Sequence, residues 1–228
     1  MIPLDRSAAA AVLVDMDGTL VDTEALWLLA EVDTMATLGG VWTRADQELC
    51  LGGPLERVVT HMLDISHTDM PADDVGALLL STVEAHLRAG DISFTEGTRE
   101  LLDSLVEAGI PLALVSASTR ALVNVVLDRL GADHFVTTVA GDEVTRSKPH
   151  PDPYLIAAAR LGVDPEWCAV LEDSPTGVAA GLASGGVVVA IPHLVTIEPA
   201  PRLIVVESLA DVTAAHLHEW VRDANLTR

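Results

Sequence analysis

Six short apolar runs punctuate the chain, and each ends where polar residues or turn formers begin. The first extends from Ala8 to Val14 and stops at Asp15; the others are Pro111 to Val115, Phe135 to Ala140, Cys168 to Leu171, Val187 to Ile191 and Leu203 to Val206. Continuous runs of this length, without apolar/polar alternation, predict strands covered on both faces. Helix-length segments separate most of them. Two carry readable starts, Asp152-Pro153 and Ser174-Pro175, where a capping side chain precedes a proline suited to the first helical position. Alternating strands and helices predict an α/β fold, a Rossmann-like doubly wound parallel sheet.

One region breaks the alternation. From residue 20 to residue 91 the periodicity offers only helices, around Thr23 to Leu38, Arg44 to Leu51, Leu55 to Leu63 and Pro71 to Arg88. Turn residues at Gly39-Gly40, Gly52-Gly53-Pro54 and Met70-Pro71 separate them. The expected organisation is a discontinuous core, residues 1–19 and 92–228, interrupted after its first strand by a helical bundle, residues 20–91.

Composition narrows the partners. Half of the 228 residues are hydrophobic, enough to build a substantial core. The formal charge of −21 repels nucleic acid and anionic membrane, both of which are recognised through clustered Lys and Arg. No secretory signal and no membrane-length apolar window is readable, so the expectation is a soluble protein. Cys50 and Cys168 stand far apart in unrelated contexts, which implies neither a disulfide framework nor a CxxC metal site and fits a reducing cytoplasm. A protein this acidic would also repel an anionic substrate, so any anion site has to be built locally from N–H donors and cations.

In an open parallel sheet, ligands bind beyond the carboxyl ends of the strands. Asp15 and Asp17 follow the first run, a pair in which one carboxylate attacks while the other handles a proton; a turn with a capping aspartate gives the same spelling. Ser116-Ala117-Ser118 follows the second, offering hydroxyls and free N–H groups to an anion or, equally, to a helix cap. Lys148, the only lysine in the chain, comes after the third, as a point charge for an anion or as a solvated bystander. Glu172 and Asp173 end the fourth run; with Asp15 they form a set of hard oxygen donors suited to Mg²⁺, though acidic residues also favour a helix N-terminus.

Taken in order, DMDGTLVDTE, VSAS, SKPHPDPY and LEDSPTG resemble the four motifs of the haloacid dehalogenase-like hydrolase superfamily, over about Val12 to Ile191. The resemblance implies that Asp15 is a nucleophile forming an aspartyl-phosphate, and that Asp17 first protonates the leaving oxygen and then activates water. It implies Mg²⁺ held by Asp15, the Asp17 carbonyl, Asp173 and, directly or through water, Glu172. Ser116, the Ala117 N–H and Lys148 would hold the phosphoryl oxygens. Dehalogenases of the superfamily lack the second aspartate, so Asp17 points to phosphoryl transfer. The helical insertion matches the position of the family's cap, which excludes water and reads the organic part of a small phosphorylated metabolite. A monomer or weak homodimer is expected.

Within the helical-cap subfamily two activities compete: a sugar-phosphate phosphatase and a β-phosphoglucomutase. The mutase pattern has a serine-arginine pair in a cap loop, a histidine on the first cap helix and a lysine after the serine motif. Here the loop reads Gly52-Gly53-Pro54-Leu55-Glu56-Arg57, the helix position is Trp27, and Thr119-Arg120 follows the serines. These departures favour the phosphatase, with Arg120 or Arg57 left as substitutes for the mutase. The first cap helix resembles those of 2-deoxyglucose-6-phosphatase and hexitol phosphatases, with Glu24, Trp27 and Arg57 as candidate substrate contacts; Trp27 fits a sugar ring or the interior of the bundle. A non-catalytic phosphometabolite-binding protein is the remote alternative.

Overall fold

The computed structural model describes residues 9–50, 53–192 and 196–226. Its elements, in chain order, are β1 (Ala11–Val14), β2 (Val21–Asp22), α1 (Glu24–Thr37), α2 (Arg44–Cys50), α3 (Leu55–Ser66), α4 (Ala72–Ala89), β3 (Ser93–Phe94), α5 (Thr98–Glu107), β4 (Leu112–Val115), α6 (Arg120–Leu130), β5 (Thr137–Val139), α7 (Asp152–Leu161), β6 (Cys168–Glu172), α8 (Pro175–Ala183), β7 (Val187–Ala190), β8 (Leu203–Val205) and α9 (Ala214–Leu226). Ala8, Leu51 and Gly52, which enter the expectations above, lie outside the described residues.

The six apolar runs form one parallel sheet in the order β5-β4-β1-β6-β7-β8. Inner strands β1, β4, β6 and β7 are buried throughout, whereas the edge strands β5 and β8 are half-exposed, which explains why the inner runs read as continuous apolar sequence. Helix α7 packs a small-residue face, Ala157 and Ala158 beside Tyr154, against Leu13, Ala113, Val115 and Val170 of the sheet. Alanines here let the helix approach closely. Strand β1 has β4 on one side and β6 on the other, so the chain leaves it in opposite directions and opens a crevice at its carboxyl end.

Contacts divide the chain into two compact units, Met1–Asp22 with Ser93–Arg228, and Thr23–Ile92. The short antiparallel ribbon of β2 and β3, invisible in the periodicity because each strand is two residues long, assigns residues 20–22 to the larger unit. Within the helical unit, α4 buries Val75, Leu79, Val83 and Leu87 at four-residue spacing, and α1 buries Ala30, Glu31, Thr34 and Met35. Glu31 is an ionisable group in that interior; its Oε2 accepts the Trp42 indole N–H at 2.8 Å. Among the described residues no helix is long and apolar enough to cross a membrane.

One capping expectation is corrected. Ser174 does cap α8, accepting the Gly177 N–H at 3.0 Å, but α7 is capped by Pro151, and Asp152 is its first helical residue. The Asp152 carboxylate is instead claimed by Arg146, through Nε at 2.9 Å and Nη2 at 3.1 Å.

Candidate active site

Strand β1 ends at Val14, and the N–H of the next residue, Asp15, continues the ladder to the Leu171 carbonyl at 3.0 Å. That bond keeps the backbone extended for one residue beyond the strand. Asp15 is buried, 6% exposed as a residue, and its Oδ1 lies 2.5 Å from Lys148 Nζ. Lys148 also donates to Glu172 Oε1 at 2.6 Å and to the Val115 carbonyl at 3.0 Å. An ammonium has three donors and all three are used, which fixes a flexible side chain in one place.

Glu172 is fully buried. Besides Lys148, its Oε1 accepts the Tyr154 hydroxyl at 2.5 Å, and Oε2 accepts the Ser174 hydroxyl at 3.2 Å. Helix α8 approaches so closely that a Cβ at Gly177 would fall 1.8 Å from Glu172 Oε1. Asp173 accepts the Thr19 hydroxyl at 3.2 Å, and a Cβ at Gly18 would fall 2.2 Å from its Oδ2; Gly18 also has φ +83°, a left-handed conformation that glycine adopts without strain. Both glycines of DGT and SPTG therefore make room for carboxylates.

Asp17, on the turn after β1, accepts the Ser118 hydroxyl at 2.8 Å and the Ser116 hydroxyl at 3.4 Å. Ser116 is held by its own N–H to the Val139 carbonyl at 3.0 Å and by accepting the Ser118 N–H at 3.0 Å. The exposed Ala117 lies between the two serines.

Three carboxylates around one ammonium leave a surplus of buried negative charge. Burial, opposed by Lys148 and reinforced by Glu172, pushes Asp15 well above the usual carboxylate range, and burial together with Glu172 lifts Asp173 to about 7. Burial works against the Lys148 ammonium, but the Asp15 and Glu172 carboxylates prevail and hold its pKa above the ordinary lysine value. Such a site favours an added cation. Carboxylate oxygens of Asp15, Glu172 and Asp173 lie within 4.8 Å of one another, and hard oxygen donors at this spacing fit Mg²⁺.

The structure thus brings Asp15, Asp17, Ser116, Ala117, Lys148, Glu172 and Asp173 to the carboxyl end of the sheet. Glu24, Trp27 and Arg57 belong to the helical unit: Glu24 opens α1 and its carbonyl accepts the Gln47 amide at 3.3 Å, Trp27 is half-buried on the same helix, and Arg57 is exposed on the first turn of α3. Arg57 lines a groove of about 420 Å³ with Leu49, Cys50, Thr60 and His61. Arg120, a possible stand-in for the mutase lysine, is committed elsewhere: its guanidinium donates to Glu143 Oε1 and Thr138 Oγ1, both at 2.8 Å.

Sequence reasoning missed Thr19 and Tyr154, and read Ser118 as an anion ligand or a helix cap rather than as the partner of Asp17. Ser118 and Thr19 lie inside motifs already noted, so a second hydroxyl beside each carboxylate was the available signal. Tyr154 occupies a buried helix position and gives no signal in the periodicity.

A paired-aspartate turn, a hydroxyl turn, a buried lysine and an acidic strand end on this sheet define a hydrolase of a known kind: the chain belongs to the haloacid dehalogenase-like hydrolase family, whose profile matches residues 12–191. It is an enzyme of the phosphatase branch of that family. Hexitol phosphatase B of Escherichia coli strain K12 is 35% identical over 219 residues, covering 92% of this chain and 93% of its own. Protein CbbY of Rhodobacter capsulatus is 32% identical over 80% of this chain and 85% of its own. The crystal structure of CbbY from Rhodobacter sphaeroides in complex with phosphate superposes with a TM-score of 0.79 at 27% identity, over 89% of this chain and 96% of that one.

Proposed function

We propose that the protein is a Mg²⁺-dependent phosphatase that hydrolyses a small phosphate monoester, a hexose or hexitol phosphate, through an aspartyl-phosphate on Asp15. The observation that carries this reading is the 2.5 Å contact between Asp15 and the only lysine of the chain, set beside two further carboxylates of metal-binding type. Mg²⁺, held by Asp15, the Asp17 carbonyl, Asp173 and Glu172, would supply positive charge to the phosphoryl oxygens.

In the first half-reaction an Asp15 oxygen attacks phosphorus, the bond from phosphorus to the leaving oxygen breaks, and the Asp17 carboxyl gives that oxygen its proton. In the second, Asp17, now a carboxylate, takes a proton from water as the water oxygen bonds to phosphorus; the Asp15–phosphorus bond breaks and inorganic phosphate leaves. Lys148, Ser116 and the Ala117 N–H stabilise the oxygens on which charge develops. Ser116 and Ser118 keep Asp17 aimed for both transfers.

Recognition of the leaving group is assigned to the helical unit as a cap, with Glu24, Trp27 and Arg57 as its contacts. The likeness to hexitol phosphatase B over nearly the whole length of both chains supports a sugar alcohol or sugar as that group. Commitment of Arg120 to Glu143 and Thr138 leaves Arg57 as the one remaining candidate cation for the second phosphate that a mutase has to hold, which weighs towards the phosphatase. A screen of phosphate release from hexitol 6-phosphates, hexose 6-phosphates, phosphoglycolate and nucleotides is expected to show highest kcat/KM on the first two classes. Preference for nucleotides, or conversion of β-glucose 1-phosphate to glucose 6-phosphate without free phosphate, would contradict it.

A further inference from the structure

Lys148 owes its position to more than the two carboxylates it touches. Tyr154, one turn into α7 and fully buried, meets both partners at once. Its hydroxyl donates to Glu172 Oε1 at 2.5 Å, and the Lys148 ammonium lies 5.0 Å from its ring centroid, within the range at which a cation is attracted to an aromatic face. With Ser174 on Glu172 Oε2 and Gly177 closing against the same carboxylate, Glu172 has little freedom to rotate. Its orientation decides which way the lysine donors point.

We propose that Tyr154 is a positioning residue for catalysis. By pinning Glu172 and walling the ammonium, it holds the remaining donor of Lys148 on Asp15, so the nucleophile keeps one orientation through both half-reactions. This rests on the reading of Asp15 as nucleophile. Tyr154 reaches the reacting groups through Lys148 and Glu172, whose placement matters most as charge develops, so its loss should lower kcat more than it weakens substrate binding.

The composition makes the test selective, because the chain has one lysine and one tyrosine. Protein labelled with ¹⁵N-lysine gives a single side-chain ammonium resonance, from Lys148. In Tyr154→Phe, which keeps the ring and removes one oxygen, this resonance should shift and exchange faster with solvent. On the best substrate of the screen, with Mg²⁺ present, kcat should fall about tenfold while KM changes less than threefold. Growth on 3-fluorotyrosine alters the acidity of the Tyr154 hydroxyl alone with almost no change of shape. It should shift the same resonance, and this keeps the test available if the phenylalanine variant folds poorly. An unmoved lysine resonance in both proteins overturns the proposal, and so does a moved resonance with kcat unchanged. Wild-type protein that releases phosphate from no monoester contradicts the phosphatase reading instead, and the lysine resonance still decides whether Tyr154 positions Lys148.

Discussion

On the proposed mechanism Lys148 and Asp17 divide the work that Asp15 cannot do alone, and their substitutions should fail differently. Lys148→Met removes the only buried cation among the described residues and leaves Asp15 beside Glu172 with no countercharge. A drop in kcat of about 10³-fold or more is expected, and Lys148→Arg should not restore it, because a planar guanidinium cannot reproduce three convergent bonds from one nitrogen. Asp17→Asn keeps the acceptor for Ser118 but cannot transfer a proton, so a loss of about 10²- to 10⁴-fold is expected. That loss should shrink for p-nitrophenyl phosphate, whose leaving oxygen needs no proton.

Glu31 belongs to the same scale but to stability. Burial raises its pKa to about 7, against the help of the Trp42 N–H. The folded chain therefore holds this proton more tightly than the unfolded chain does. Stability is unaffected below the unfolded value near 4.5 and falls as pH rises from there through 7. Glu31→Gln keeps an acceptor for Trp42 and should flatten this dependence when thermal unfolding is followed between pH 5 and 8. An unchanged slope would contradict the assignment.

At the scale of elements, the first turn of α8 both starts a helix and carries part of the site. Ser174 caps the helix and donates to Glu172, so Ser174→Ala should cost about 1 kcal/mol in denaturant unfolding and lower kcat at the same time. Gly177→Ala should do more damage, because its Cβ meets the Glu172 carboxylate, a side-chain end that Lys148, Tyr154 and Ser174 hold in place. Most elements were legible in the sequence. Inner strands β1, β4, β6 and β7 are buried on both faces and read as unbroken apolar runs, and the four helices of the inserted unit show clear periodicity between glycine and proline breaks. What the sequence hid was short or tertiary in origin. Strands β2 and β3 have no period to read, the Asp152 cap yielded to an arginine six residues upstream, and the Tyr154 hydroxyl matters only because α7 folds back against the sheet and brings it to Glu172 at the end of β6.

At the scale of the molecule, a chain of charge −21 concentrates three carboxylates where it must accept a phosphate. A divalent cation would resolve that conflict and should stabilise the fold. A ligand at 100 times its Kd that binds only the folded chain adds about 2.7 kcal/mol, so Mg²⁺ should raise Tm by several degrees, with the effect lost in Asp173→Asn. An equal rise in that variant would place the ion elsewhere. The candidate site could be read from the order of four strand-end motifs, because in a doubly wound sheet strand ends far apart in sequence meet beside the strand where the order reverses. The leaving group could not, since the groups that would read it are single residues on helices whose patterns report packing alone.

The central claim is that phosphate passes through Asp15. Rapid-quench mass spectrometry of the enzyme turning over a hexitol or p-nitrophenyl phosphate tests it directly. One phosphoryl group should appear on the peptide containing Asp15, labile to hydroxylamine and absent in Asp15→Asn, which should also have lost turnover. Undiminished phosphate release by a folded Asp15→Asn variant, or a phosphoryl group on any other residue, would contradict the account.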